Sequence, residues 1–239
     1  MFGTILNVVG ILLGGLVWLI MRRPLVAASQ EYLKLALGVY TVWTGLRIAL
    51  SGLHGSAGQV LKQLLVAVLA LMLGKLLGRA LHLQQGLSHL GRVAGQILSQ
   101  TKPGYQASPP NGFLAATILF CAAPLAMLGP VQDGLNRDFQ PLLLKGVMDG
   151  LVVMGLLPTF GWRVMLGVFP LAAVLVTLTQ VAQWCEPMLR TYSLFDPVNV
   201  VCGLLIFCVA LIIFAIRKVA VADYLPALVL APLLTSLWR

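Results

Sequence analysis

Residues 111–150 read NGFLAATILFCAAPLAMLGPVQDGLNRDFQPLLLKGVMDG, and this stretch decides which fold the chain adopts. It is long and apolar enough for two membrane helices, yet Pro124, Gly129 and Pro130 interrupt its first apolar run. Each proline removes a backbone donor and frees a carbonyl one turn earlier. The sequence therefore predicts a membrane helix that is kinked or unwound at these residues.

Charged side chains follow the interrupted run. Asp133 comes soon after Pro130, and Lys145 and Asp149 lie four residues apart in the next apolar run. Charges inside membrane helices are costly and usually serve a function. At about 1.5 Å of rise per residue, Asp149 lies roughly 15 Å deep, near the middle of a ~30 Å hydrocarbon core.

The composition of the whole chain is that of a membrane protein. Of its 239 residues, 59% are hydrophobic and only 10% are charged, whereas soluble domains are about 25% charged. Apolar runs of about twenty residues recur along the chain, and only helices can satisfy the backbone of such runs in lipid. We expect one all-α, polytopic membrane domain over residues 1–239.

About eight membrane spans are predicted from the apolar runs. They cover residues 3–21, 33–53, 59–81, 112–130, 139–158, 162–184, 197–216 and 220–238. The fourth is the broken span. The fifth contains Pro and Gly, the eighth contains Pro226 and Pro232, and both come close to the length of re-entrant segments.

Basic residues predict the orientation. The net charge is +9, but Lys and Arg lie singly or in pairs at the ends of apolar runs, which is typical of topology signals and not of a nucleic-acid interface. Ten of them fall in the loops after the odd-numbered spans and four on the other side. This bias predicts an inner-membrane protein with both termini in the periplasm. The first apolar run has no basic region before it and no cleavage site, so we expect it to stay as a helix.

Residues 82–111 form the predicted cytoplasmic connector. Apolar Leu83, Leu87, Leu90, Val93 (or Ala94) and Ile97 recur at three- and four-residue steps, which indicates an amphipathic helix lying on the membrane or on the bundle. Residues 101–111 are predicted to be a loop.

The candidate ligand-binding residues are polar side chains inside the spans. They are Asn7, Arg47, Asp133, Lys145 and Asp149. They lie in the outer half of the spans or near the midplane, which predicts a polar cavity that opens outward. The alternative is structural, since Lys145 and Asp149 share a helical face and neutralise each other, and Asp133 is then a solvated loop acid or a helix cap. Arg47 favours a working site, because a second buried cation needs Asp149, Asp133 or a ligand as its partner.

No catalytic, metal or cofactor site is predicted. The sequence contains no G-x-S-x-G, H-E-x-x-H or phosphate-binding loop, so we expect that the protein is not an enzyme. Its four cysteines lack metal-type spacing, and His82 and His89 have no carboxylate or cysteine to complete a metal set.

Two further patterns concern helix packing. Small residues recur at four-residue spacing in Gly10–Gly14, Gly74–Gly78 and Gly146–Gly150, which allows helices to approach closely within one chain or in a homodimer. The second and third spans also resemble the seventh and eighth faintly, with Gly38 matching Gly203, as in an inverted repeat.

Four segments carry a resemblance to a known family. They are GTILNVVGILLGGLVW (residues 3–18), LFCAAPLAMLGPVQDGLNRD (119–138), LLLKGVMDG (142–150) and LPALVLAPLL (225–234). The chain resembles the bacterial YqgA/YdfK-type membrane proteins, a domain of unknown function, over nearly its full length. It departs from their pattern at Met148 and Trp18, neither of which is charged. The resemblance implies an integral inner-membrane protein that acts as a transporter, without indicating the solute.

The residues and the resemblance together favour a secondary transporter in the lipid bilayer. Its cargo would be a small polar solute or ion, coupled to H⁺ or Na⁺ and bound between the fourth and fifth spans. A passive channel and a structural or accessory subunit are the alternatives.

Overall fold

The computed structural model describes residues 1–22, 27–99, 109–191, 194–217 and 219–237. These residues form helices and contain no strand. The α-helices are α1 (Phe2–Met21), α2 (Ala27–Ser51), α3 (Ala57–Ala80), α4 (Leu83–Ser99), α5 (Pro109–Ala122), α6 (Leu125–Leu135), α7 (Gln140–Phe160), α8 (Val168–Thr191), α9 (Phe195–Ile213) and α10 (Ala227–Leu237). Two 3₁₀ segments, Gly161–Gly167 and Val221–Tyr224, precede α8 and α10. The all-α prediction is confirmed.

By length and composition, the described residues contain five helical segments able to cross a membrane, or six if one bent helix pair counts as a span. One of the five is the 52-residue stretch Gln140–Thr191, which contains two of the predicted spans. The eighth predicted span is represented by a shorter apolar segment, Val221–Leu237. The total of about eight crossings therefore stays a prediction.

The chain divides into two compact units. Unit 1 comprises Met1–Leu33 and Leu87–Ala182, and unit 2 comprises Lys34–Gly86 and Gln183–Arg239. Each unit combines segments from both halves of the sequence, so neither is a continuous stretch of chain. That residues 1–239 form a single membrane domain stays a prediction.

In unit 1, α5 and α6 form the broken span. The two helices are bent by 55° at a break beside Pro124. A Cβ placed on Gly112 of α5 would lie 2.7 Å from Phe160 at the end of α7, and one on Gly129 of α6 would lie 2.7 Å from Leu142 near the start of α7. The pair thus runs antiparallel to α7 along most of its length, whereas a re-entrant loop would return to the side where it began.

The position of the break differs from part of the prediction. Gly129 and Pro130 lie inside α6 and do not interrupt it. Prolines are tolerated inside membrane helices where neighbouring groups and local adjustments satisfy the freed backbone, and Pro158, Pro187 and Pro232 also lie inside helices of this chain. The break lies at Pro124 instead, between the end of α5 at Ala122 and the start of α6 at Leu125. The predicted loop was also too long, because α5 already begins at Pro109; residues 101–108 lie outside the described part of the chain.

Helices α1 and α7 of unit 1 are parallel and pack through glycines. Along α1, Gly3 lies against Leu142, Gly10 against Gly146, and Gly14 against Gly150. A Cβ on Gly14 would lie only 2.4 Å from the carbonyl oxygen of Gly150. Residue numbers rise along both helices, so they point in the same direction. The predicted close approach at Gly10–Gly14 and Gly146–Gly150 is therefore made within one chain.

We expect Gly14→Ala to destabilise unit 1 by about 1–3 kcal/mol, since the methyl group meets backbone that cannot rotate away. The matched control is Gly155→Ala in α7, where an added Cβ meets nothing within 4 Å; there alanine favours the helix by roughly 0.5–1 kcal/mol. Thermal unfolding in detergent, followed by circular dichroism, measures both. Equal stabilities of the two variants would contradict the observed packing.

The core of unit 1 joins α5, α7, the first 3₁₀ segment and α8. Gly161, with a φ of 69°, ends α7 and redirects the chain into this 3₁₀ segment. Beyond it, Leu171 and Leu175 of α8 pack in one hydrophobic cluster with Phe120 and Val153. These side chains anchor α5 and α7, the helices that flank the polar residues described below.

In unit 2, α2 is antiparallel to α9, and α3 is antiparallel to α10. Gly45 of α2 packs against Gly203, and Gly52 packs against Asp196 at the start of α9. Gly74 and Gly78 of α3 pack against Ala227 and Asp223. Together with the parallel α1 and α7, these directions agree with alternating crossings in the predicted order, since spans one and five run the same way and spans two and seven run oppositely.

The connector helix α4 follows a sharp turn at His82, whose φ is 54°. Its start is fixed within unit 2, because the N–H of Gln84 donates to Asp223 Oδ1 at 2.9 Å. The predicted helix is present. On its predicted apolar face Ala94 is fully buried and Leu87 is partly buried, but Leu90 is 44% exposed, so the face is only partly covered. The cytoplasmic location of α4 stays a prediction.

Candidate functional site

An ion pair lies in the middle of α7. The Lys145 ammonium donates to Asp149 Oδ2 from one helical turn away. Lys145 is 1% exposed and Asp149 5% exposed. Asp149 is the tenth of the 21 residues of α7, which places it ~14 Å along a helix ~31 Å long. The position of Asp149 along its helix agrees with the count from the sequence, and its depth in the membrane stays a prediction.

Asn7 of α1 is the third member of this cluster. Its side chain is fully buried, and its Nδ2 donates to Asp149 Oδ2 at 3.3 Å. The contact depends on the glycine packing, since a Cβ on Gly146 would lie 2.9 Å from the Asn7 Cα. The nitrogens of Asn7 and Lys145 thus converge on one carboxylate oxygen. We call Asn7, Lys145 and Asp149 the polar cluster.

Asp133 lies nearer the start of α1. It is only 2% exposed, and its Oδ1 accepts a hydrogen bond from the Gly3 N–H at 3.3 Å. Its Oδ2 lies 2.8 Å from the amino nitrogen of Met1. A carboxylate is favourable there because the first N–H groups of a helix lack intrahelical partners and carry partial positive charge. Asp133 is therefore buried and caps α1, neither solvated in a loop nor the cap of the next helix.

Three buried polar atoms near these acids have no hydrogen-bond partner among the described residues. They are Thr4 Oγ1, Asn7 Oδ1 and Gln132 Nε2. Thr4 precedes Asn7 by three residues and shares its helical face, and Gln132 adjoins Asp133. Buried polar groups almost always find a partner, so each such atom needs an explanation.

Sequence reasoning missed Thr4 and Gln132 as site residues. The available signal for Thr4 was its spacing from Asn7 on an otherwise apolar helix. Gln132 offered no comparable signal, since it stands beside the more conspicuous Asp133 and near a turn.

Arg47 lies on α2, in unit 2. Its side chain is half-buried, and its guanidinium carbon lies 5.6 Å from the centre of the Trp43 ring. Fully buried Thr44 is three residues before it on the same helix. The structure thus brings together Asn7, Lys145 and Asp149, places Asp133 beside Gly3, and assigns Arg47 to the other unit. Its predicted pairing with Asp149 or Asp133 stays a prediction.

A separate cavity of about 460 Å³ lies in unit 2. Its lining includes His54, Lys62, Asp196 and Thr235, from the starts of α3 and α9 and the end of α10. The sequence predicted a polar cavity between the fourth and fifth spans, so this cavity is not the predicted one. In the described ranges, no three His, Cys, Asp or Glu side chains are grouped so that they could hold a metal ion.

Comparison with known proteins gives the same relatives as the sequence motifs. The family model described as "Protein of unknown function (DUF554)" matches residues 2–236. The chain belongs to this family. The match includes both helices of the polar cluster and the broken span, so the family's shared region is the whole fold described above.

Two relatives illustrate the family. The chain is 28% identical over 233 residues to "Uncharacterized membrane protein YdfK" of Bacillus subtilis, covering 97% of this chain and 94% of that protein. It is 26% identical over 238 residues to "Uncharacterized protein YqgA" of Escherichia coli, covering 99% and 97%. No solved structure matches the chain significantly. The predicted family and the membrane location are confirmed.

Proposed function

We propose that this family member is a secondary transporter of a small polar solute or ion, coupled to H⁺ or Na⁺, with its binding site at the polar cluster. The observation that carries the proposal is the fully buried Lys145–Asp149–Asn7 arrangement in the middle of a membrane-length helix. Substrate sites of secondary transporters lie near the bilayer midplane beside discontinuous helices. The bent α5–α6 pair packs against α7 in the same unit. No catalytic role is proposed.

A structural or accessory subunit is the second candidate. A buried ion pair alone supports it, because Lys145 and Asp149 neutralise each other. The unpartnered atoms of Thr4, Asn7 and Gln132 favour transport instead, since a salt bridge kept only for structure needs no further polar groups around it. A passive channel would need polar groups along the whole way across the membrane. The polar cluster does not provide such a path, because the close glycine contacts between α1 and α7 lie directly beside it.

Solute uptake into liposomes tests the proposal. Purified protein should accumulate a solute only while an H⁺ or Na⁺ gradient is present. Equal rates with and without gradients, and no accumulation, would indicate a channel. Uptake no faster than in empty liposomes for every class of solute and both gradients would leave the accessory role.

The proposed location is the bacterial inner membrane, with both termini in the periplasm and α4 in the cytoplasm. The ten-to-four distribution of basic residues supports this orientation. A reporter fused to the C-terminus should therefore be active only if it works in the periplasm, as alkaline phosphatase does. Fluorescence of a cytoplasm-specific reporter at that position would reverse the orientation or remove one crossing.

An inverted repeat is part of the proposal. In unit 2, a Cβ on Gly45 would meet Gly203 and Phe207, and a Cβ on Gly203 would meet Gly45 and Ala49. Each glycine thus contacts its counterpart and the residue four positions beyond, as in an antiparallel helix crossing at small residues. The crossing brings Gly203 to Gly45 and not to Gly38, and the repeat itself rests on the sequence similarity of the spans. A homodimer has no comparable support, since the predicted glycine pairs are used within the chain.

A further inference from the structure

The charge on the polar cluster limits what can bind there. Lys145 and Asp149 form a neutral pair. Asn7 on α1 is uncharged, and the Cys121 thiol on α5 is the other titratable group described in electrostatic contact with the pair. Asp133 on α6 already accepts a hydrogen bond from Gly3 and forms an ion pair with the amino group of Met1. The positive charge of Lys145 and the negative charge of Asp149 therefore compensate each other.

Adding a single ion would leave a buried charge without a partner. A metal cation would make the cluster positive, and an anion would make it negative; both states are strongly unfavourable in an apolar interior. A proton together with a monovalent anion leaves the cluster neutral. The proton also suits the carboxylate, because the groups directed at Asp149 Oδ2 are N–H donors and not the oxygen atoms that a metal cation prefers.

We propose that the cluster binds one proton and one small carboxylate anion together, which defines the substrate class of the transporter proposed above. The proton binds to Asp149, whose carboxylate becomes a carboxylic acid and releases Lys145. The carboxylate of the substrate then becomes the partner of the Lys145 ammonium. One positive and one negative charge enter, no covalent bond of the substrate breaks, and the cluster is neutral before and after.

The hydrogen-bond geometry supports an oxygen anion. Lys145 Nζ and Asn7 Nδ2 donate to the same oxygen, Asp149 Oδ2. A substrate oxygen that replaces it receives two donors that already converge. Binding of either ion alone leaves Lys145 or the anion unpaired, so each must raise the affinity for the other, as linkage requires.

Infrared difference spectroscopy of the purified protein tests this inference directly, with pyruvate as the carboxylate probe. At constant pH, pyruvate should strengthen the C=O band of a protonated carboxyl group, recognised by its shift on exchange into D₂O, which the ketone band of pyruvate lacks, whereas Na⁺ and choline should not. Asp149→Asn should lack this pyruvate-dependent increase, although the other acidic residues still give a band on acidification. The double variant Lys145→Met with Asp149→Leu, which retains a neutral core, should also lack the increase. A band unchanged by pyruvate, or one weakened by Na⁺ through Asp149, overturns the inference.

Uptake by proteoliposomes separates this inference from the proposed transport function. With an outside pH about one unit lower, one-to-one cotransport accumulates pyruvate about tenfold, whatever the membrane potential. Accumulation of choline in place of pyruvate would keep the transport function and overturn the carboxylate assignment. A pyruvate-dependent infrared band without gradient-driven uptake would keep the binding site and overturn transport.

Discussion

Asp149→Asn is expected to reduce gradient-driven uptake to the level of empty liposomes while the protein stays folded. The amide keeps the shape and polarity of the side chain and still accepts hydrogen bonds from Lys145 and Asn7. It cannot gain and lose charge, however, so the cycle of binding and release stops. Uptake and thermal unfolding should be measured on the same preparation, because uptake should be lost while the unfolding transition shows that the protein is still folded.

The matched control for this variant is Asp133→Asn. Asp133 is buried like Asp149 but accepts from the Gly3 N–H at the start of α1. Its replacement by Asn keeps an acceptor and removes the charge, so it should lower stability by about 0.3–1 kcal/mol and leave gradient coupling in place. Normal uptake by the Asp149 variant would show that Lys145 and Asp149 form only a structural salt bridge. The remaining predicted candidates for a binding site would then be Asn7, Arg47 and Asp133.

Lys145→Met should have the largest effect on folding. It removes the main donor to Asp149 and leaves a carboxylate in the middle of α7 with only the Asn7 amide beside it. Breaking a fully buried pair in this way costs about 3–5 kcal/mol. The free energy of unfolding, measured by denaturant titration in detergent, should fall more than for Asp149→Asn, which leaves the Lys145 charge without a counter-charge but keeps a hydrogen-bond acceptor beside it.

The double variant Lys145→Met with Asp149→Leu separates charge from packing. Replacing both partners by apolar groups of similar volume removes the uncompensated charge, and such replacements are often neutral or stabilising. We expect stability to recover and transport to remain absent. If the double variant is as unstable as Lys145→Met, the loss arises from packing and not from the buried carboxylate.

Periodicity and composition were sufficient for much of the fold because membrane helices are recognised from their own residues. The lengths of α1, α3 and α7 and the amphipathic character of α4 follow from local sequence. The break at Pro124 was predictable for the same reason. Pro130 was misjudged because a proline inside a membrane helix is tolerated where the surrounding structure satisfies the freed backbone groups, which the local sequence does not reveal.

The positions of the candidate site residues along their helices were predictable from the sequence, but their contacts with other helices were not. The position of Asp149 along α7 follows from counting residues, and its pairing with Lys145 follows from helical spacing. The Asn7–Asp149 and Gly3–Asp133 hydrogen bonds join residues 142 and 130 positions apart. They require knowing which helices pack together and how closely. Gly10 and Gly14 make the approach of α1 to α7 feasible, but the same spacing equally suits a dimer.

The most direct test of the binding site is a high-resolution experimental structure in a lipid nanodisc at acidic pH with pyruvate present. The account predicts density for a non-protein species within hydrogen-bonding distance of Lys145 and Asn7, and a Lys145–Asp149 distance longer than in its absence. An unchanged ion pair, with Thr4, Asn7 and Gln132 all bonded to protein atoms and no added density, would contradict it.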